Sequence, residues 1–89
     1  MAKAILNAPE GITYPDGRLE LACEADTVGE ALQQLVAKEP RLKPRIFGDR
    51  GQLWVGVFVN GHDIRQLQRL ETPLADGDEI KLVPSIGGG

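Results

Sequence analysis

The chain has 89 residues, a formal charge of −3 and a pI near 5.0. Apolar residues make up 42% and charged residues 26%, the mixture of one small globular domain rather than a disordered segment. The acidic balance argues against a nucleic-acid binder, which would show a strongly basic face. One cysteine and one histidine exclude a disulfide framework, a Cys-rich zinc site and a four-thiolate iron–sulfur cluster, and leave little for a Ser-His-Asp triad. No apolar run approaches the ~18 residues of a membrane span. The start, Met1 to Leu6, lacks the length and cleavage pattern of a signal peptide, so the expected location is the cytoplasm. Glycine is the unusual entry: there are 11, and three close the chain as Gly87-Gly88-Gly89.

Residues 2–8 read as a first strand, followed by a dense run of turn residues from Pro9 to Gly17. Residues 18–24 alternate, with Leu19, Leu21 and Cys23 on one face and Arg18, Glu20, Ala22 and Glu24 on the other, which is a half-buried strand. The two strands read as a hairpin with a long loop. Thr27 and Glu30 form a capping box, and Val28, Ala31, Leu32, Leu35 and Val36 follow at helical spacing. Pro40 stops this helix. Residues 41–52 read as a loop with at most one helical turn, anchored by Ile46 and Phe47. Residues 53–59 are rich in β-branched and aromatic side chains and form the strongest strand signal, ended by the turn pair Asn60-Gly61. Short elements fill 62–77, and a last strand is expected over 78–83 with Ile80 and Leu82 inward.

One helix with one apolar stripe needs one apolar sheet face to cover it. The economical arrangement is an α+β fold of the β-grasp type: a mixed sheet of four to five strands wrapped over one main helix. The first and last strands lie side by side in its middle. The expected division is a β-grasp domain over 1–83 and a protruding tail over 84–89.

From Val57 onward the chain resembles the small sulfur-carrier proteins of the ThiS/MoaD type, relatives of ubiquitin. The resemblance rests on Val59-Asn60-Gly61, Asp63-Ile64-Arg65, Leu70-Glu71-Thr72-Pro73-Leu74, Asp76-Gly77-Asp78-Glu79-Ile80, and Val83-Pro84 ahead of the terminal glycines. Upstream, the Thr27 to Leu32 helix start and the Pro40 stop fit as well. The family ends in two glycines and this chain in three. With Val83-Pro84 aligned, Gly88-Gly89 takes the place of the pair and Gly87 replaces another small residue, so no trimming is needed.

The resemblance implies that an ATP-dependent, ubiquitin-activating-type enzyme adenylates the Gly89 carboxylate, with Gly88 beside it. It further implies a persulfide sulfurtransferase or desulfurase as sulfur donor and a downstream synthase as acceptor. The chain itself binds no cofactor and is not the catalyst. The residue chemistry agrees. A chain end without Cβ atoms enters a narrow channel, and its carbonyl carbon is open to attack. A carboxylate becomes a good electrophile once AMP is its leaving group, and sulfur anions are strong nucleophiles. The opposing reading of the tail is an inert end.

The expected docking residues are Trp54, Phe58, Pro84, Ile86 and Gly87. In strand 53–59 both rows are apolar: Val55, Val57 and Val59 on one side, Trp54, Gly56 and Phe58 on the other. Asn60 continues the aromatic row, which marks it as the outer one. Either loops cover these aromatics or they form a partner patch. Cys23 reads as a small buried hydrophobe and His62 as a surface residue. Asp76, Asp78, Glu79, Arg65 and Arg69 read as solvated loop charges, with Asp76-Gly77 shaping a turn. Two other classes stay open: a protein modifier joined through Gly89 to target lysines, and a β-grasp interaction module with an unreactive tail. Within the sulfur-carrier reading, MoaD-like and cysteine-synthesis carriers fit best.

Overall fold

A computed structural model describes residues 1–13 and 17–84. Five strands form one sheet: β1 (Ala2–Ala8), β2 (Leu19–Ala25), β3 (Val55–Val59), β4 (His62–Asp63) and β5 (Glu79–Pro84), in the order β2-β1-β5-β3-β4. β1 pairs antiparallel with β2, from Ala2 opposite Ala25 to Ala8 opposite Leu19. It pairs in parallel with β5, Leu6 opposite Ile80. β3 runs antiparallel to β5, from Val55 opposite Pro84 to Val59 opposite Ile80. The first and last strands therefore lie side by side inside the sheet, as the element order predicts.

The pleat sends Leu6, Ala8, Leu21, Cys23, Val57, Val59, Ile80 and Leu82 to one face, where all are buried. The main helix α2 (Val28–Lys38) covers that face with Val28, Ala31, Leu32, Leu35 and Val36, the stripe read from the sequence. Thr27 caps it, its hydroxyl oxygen accepting the Glu30 N–H at 3.3 Å, an arrangement generally worth about 1 kcal/mol. The return half of the box differs from the expected form. Glu30 Oε1 accepts the N–H of Asp26, one residue before the cap, at 2.7 Å. The cause lies beside it: Val28 N–H donates to the Thr72 carbonyl (3.0 Å) and Leu74 N–H to that of Asp26 (2.9 Å), which draws the helix entry onto residues 72–74.

The loops hold more structure than their sequence announces. Residues 10–13 form a short helix, α1 (Glu10–Thr13). After the Pro40 stop comes a single 3₁₀ turn, Pro40–Leu42, and then the short helix α3 (Lys43–Ile46). Leu42 and Ile46 are fully buried and drive these turns onto the core. β3 starts two residues after the expected 53. Leu53 instead bridges Phe47, and the Trp54 N–H donates to the Ile46 carbonyl at 2.8 Å.

The acidic turn before β5 is a second departure from expectation. Asp76 accepts the Lys3 N–H at 2.8 Å, and Asp78 accepts the Ala75 N–H at 2.8 Å and the Asn60 carboxamide at 2.9 Å. Asn60 Oδ1 in turn accepts the Glu79 N–H at 3.0 Å. These side chains are stitches between the start of β1, the β3–β4 turn and the root of β5. Asn60 and Gly61 both have positive φ, 51° and 85°, the geometry of a tight two-residue hairpin turn.

Cys23 is 6% exposed, and its thiol lies 3.5 Å from the Ala4 carbonyl. Burial pushes the thiol pKa up, with the Ala4 contact opposing in part. Less of it is thiolate at neutral pH than in a free cysteine, so it is a poor nucleophile. A disulfide reagent is expected to label Cys23 far more slowly in the native protein than in urea. Equal rates would place the thiol at the surface.

Candidate functional site: the outer sheet face at the root of the tail

The face of the sheet away from α2 is built by the opposite set of alternating residues. On β3 these are Gly56 and Phe58, continued by Trp54 before the strand and Asn60 after it. Val57 and Val59 of the other row are 1% and 6% exposed, whereas Trp54 is 47% exposed and Phe58 is half-buried. The aromatic row is the outer one, as expected, and among the described residues no loop covers Trp54.

Cross-strand pairing extends this row toward the chain end. Gly56 lies opposite Val83, and Phe58 opposite Lys81. Trp54, Phe58 and Val83 thus form an apolar patch at the end of β5 from which residues 85–89 continue. Lys81 and Asn7, paired across β5 and β1, divide it from the exposed Ile5 farther along the sheet. Gly56 leaves a gap between the two aromatics. A Cβ there would stand 3.5 Å from a Phe58 ring carbon and 3.6 Å from Val83 Cβ, which is ordinary contact.

Trp54 is held from beneath. A Cβ at Gly48 would lie 2.6 Å from the indole Nε1, so the ring sits directly on the glycine backbone. Gly48 N–H donates to the Gln52 carbonyl (2.7 Å), and Gly51 N–H to that of Gly48 (3.0 Å), closing the small loop that carries this seat.

β5 borders β3 along its length, but β4 covers only Phe58 and Val59. Past the end of β4, an open groove of about 850 Å³ runs along the β3 edge. Trp54, Phe58 and Val83 are among its lining residues, with Ile64, Arg65 and Leu70. Asp63 caps the 3₁₀ turn Ile64–Gln66, accepting the Arg65 N–H at 2.9 Å. The Arg65 guanidinium also donates to the Asp63 carboxylate, Nη2 to Oδ2 at 2.8 Å. Arg65 is therefore committed to its neighbour, a refinement of the solvated charge expected there.

Pro84 departs from the expected end of the last strand at 83. It is the final residue of β5, opposite Val55, and it is half-buried. Parity places it with Ile80 and Leu82 on the helix-facing side, so Pro84 and the outer row do not share a face. Ile86, Gly87, Gly88 and Gly89 lie outside the described residues. His62 is exposed in the two-residue strand β4. Among the described residues, no three His, Cys, Asp or Glu side chains gather as a metal site. No helix there is long and apolar enough to cross a membrane.

Sequence reasoning missed Val83, Gly48 and the Asp63–Arg65 pair. Val83 had a signal in the Glu79, Lys81, Val83 alternation opposite Ile80 and Leu82. Gly48 had none, since its role comes from a residue six positions on.

A mixed five-stranded sheet with parallel central strands, wrapped over one helix, is the ubiquitin-like β-grasp fold. The solution structure of small archaeal modifier protein 1 from Methanosarcina acetivorans superposes with a TM-score of 0.77 at 32% identity, covering 100% of this chain and 98% of that one. The family model described as the ThiS family matches residues 5–89, and the chain belongs to this family. Two relatives show its range. Small archaeal modifier protein 1 of Haloferax volcanii is 42% identical over 65 residues, 71% of this chain and 70% of the relative. The sulfur carrier protein CysO of Mycobacterium tuberculosis is 30% identical over 80 residues, 85% of this chain and 86% of the relative. The protein is a ubiquitin-like member of the sulfur-carrier class, whose members are small carriers rather than enzymes.

The Asp63 carboxyl is held below the usual carboxylate range by hydrogen bonds from the Arg65 side chain and then from the Arg65 backbone. A depressed native pKa contributes stability above the unfolded pKa and loses it as pH falls through the native one. In an NMR titration, Asp63 is expected to have a midpoint below that of a free aspartate. Arg65→Ala should raise it only part of the way, because the backbone donor remains. An unchanged midpoint would show that the pair does not persist in solution.

Proposed function

We propose that this protein carries sulfur as a thiocarboxylate on its C-terminal glycine. Its Gly89 carboxylate attacks the α-phosphate of ATP on a ubiquitin-activating-type enzyme, releasing pyrophosphate and forming an acyl adenylate. Sulfur supplied as hydrosulfide attacks the carbonyl carbon and expels AMP, leaving the thiocarboxylate. Sulfur supplied as a persulfide gives an acyl disulfide first, and a thiol then cuts its S–S bond. The carrier contributes the electrophilic carbon and a docking surface, and ATP is used on the partner. A downstream synthase accepts the sulfur, and the cytoplasm provides the ATP and the reducing conditions.

The observation that supports this reading is the position of β5. The strand leading into the tail is an inner strand, paired on both sides, and it ends beside the Trp54–Phe58–Val83 patch. A partner that docks on the patch has the chain end within reach of its catalytic centre. Gly87 and Gly88 leave the last residues slim enough for a narrow channel, and Ile86 and Pro84 provide apolar contact at its mouth. The identity to CysO favours a small-molecule acceptor of the cysteine-synthesis kind, with a MoaD-like acceptor as the next choice. The higher identity to an archaeal modifier protein favours a second use, in which a lysine amine attacks the same activated Gly89. Isopeptide adducts in extracts of the producing cell distinguish the two.

ATP–pyrophosphate exchange, catalysed by the activating enzyme of the same genome, is expected to require the last two glycines. Deleting Gly88-Gly89 should abolish exchange without changing the circular dichroism spectrum. Exchange at the wild-type rate after deletion would contradict the reading and leave the interaction module in its place. Phe58→Ala is expected to raise the KM for the carrier by roughly tenfold or more, the scale of an interface aromatic, with little change in melting temperature. If folding and KM both stay at wild-type values, Phe58 is not part of the docking surface.

A further inference from the structure

Gly11 lies in α1, more than seventy positions before the chain end, yet it touches the root of the tail. A Cβ on Gly11 would sit 2.7 Å from Pro84 Cγ and 3.5 Å from Pro84 Cβ. Carbon atoms do not approach to 2.7 Å without something giving way, and Pro84 Cγ can yield only through a change of ring pucker. The backbone of α1 therefore rests directly on the ring of the last β5 residue.

Neither side of this contact is loose. Ile12 is 2% exposed and fixes α1 to the core. The Pro9 carbonyl accepts the N–H groups of Ile12 and Thr13, at 2.9 and 3.1 Å. The Thr13 side chain, fully buried, donates its hydroxyl toward the Gly17 carbonyl at 2.8 Å. The last carbonyls of α1 are held from across the fold: Arg45 Nη1 donates to that of Ile12 at 2.9 Å and Arg41 Nη1 to that of Thr13 at 3.3 Å. On the other side, Pro84 is paired opposite Val55, and its own φ is fixed by the ring.

We infer that Gly11 and Pro84 form a clamp that sets the direction in which the tail leaves the sheet, making Gly11 a positioning residue for the reaction at Gly89. The inference rests on the adenylation reading above. Pro84 is the last residue of β5 before the five that end at Gly89, so a shift of its ring moves the point from which the chain end sets out. Misplacing a reacting group by about 1 Å costs up to about a hundredfold in rate. Pro84 and the Trp54–Phe58 patch lie on opposite faces of the sheet, so the readout for the clamp is kcat and that for the patch is KM.

The test is a double-mutant cycle on the pyrophosphate-exchange reaction. Gly11→Ala places a methyl against the ring while favouring helix α1 itself. It is expected to lower kcat by roughly tenfold, with KM for the carrier near wild type and a reduced melting temperature that leaves the protein folded at the assay temperature. Pro84→Ala, which removes the ring, should also lower kcat. In the Pro84→Ala background, Gly11→Ala should cost nothing more. A wild-type kcat for either single variant would overturn the clamp, as would equal losses from Gly11→Ala with and without the proline ring. The amide resonances of Val83 and Ser85 give a reading independent of any enzyme. Gly11→Ala should shift them and leave those of Ala22 and Glu24 in place, and unmoved amides would overturn the clamp even if adenylation itself proved wrong.

Discussion

The parallel pairing of β1 with β5 is the constraint on which the rest of the molecule depends. It joins the two ends of the chain in the middle of one sheet, with Leu6 opposite Ile80 and both fully buried. β2 flanks β1 on one side of this pair, and β3 flanks β5 on the other. A parallel pair needs a long crossover rather than a tight turn, and here everything between residues 9 and 78 serves as the connection. The helix stripe, the turns holding Leu42 and Ile46 and the acidic turn before β5 all lie within it. Because the strand leading to the tail is paired on both sides, a pull on the chain end is resisted by the whole sheet.

The polar side chains of the loops serve this constraint more than they serve solvent. Asp76 ties the turn before β5 to the start of β1, and Asp78 and Asn60 tie the entry of β5 to the β3–β4 turn. Arg41 and Arg45 hold the end of α1, which rests on Pro84. One network fixes where β5 begins and the other fixes where it ends. Between them the outer face carries the apolar row of Trp54, Phe58 and Val83, with Trp54 exposed.

How legible each part was in the sequence follows from the range of the interactions that make it. α2 was readable because its cap and stripe are written within twelve consecutive residues, from Thr27 to Lys38. The rows of β3 and the burial of Cys23 followed from a period of two. The acidic turn was not readable, because a carboxylate accepting a distant backbone N–H looks, in sequence, like any solvated charge. Lys3 and Asp76 are 73 positions apart. The same holds for α1, a single turn stabilised by Arg41 and Arg45 from α3 and the turn before it, and for Gly48, which matters only because Trp54 lies over it. The terminal glycines were the reverse case. The sequence and its family resemblance propose Gly88 and Gly89 as the reactive end; both lie outside the described residues, and the fold supplies β5, the strand that leads toward them.

The most direct test of that role is the intact mass of the protein after incubation with its activating enzyme, ATP and a sulfur donor, followed by fragmentation of the C-terminal peptide. A gain equal to one oxygen-to-sulfur exchange, located on Gly89 and dependent on ATP, is the expected result. An unchanged mass in the presence of a competent activating enzyme would contradict it.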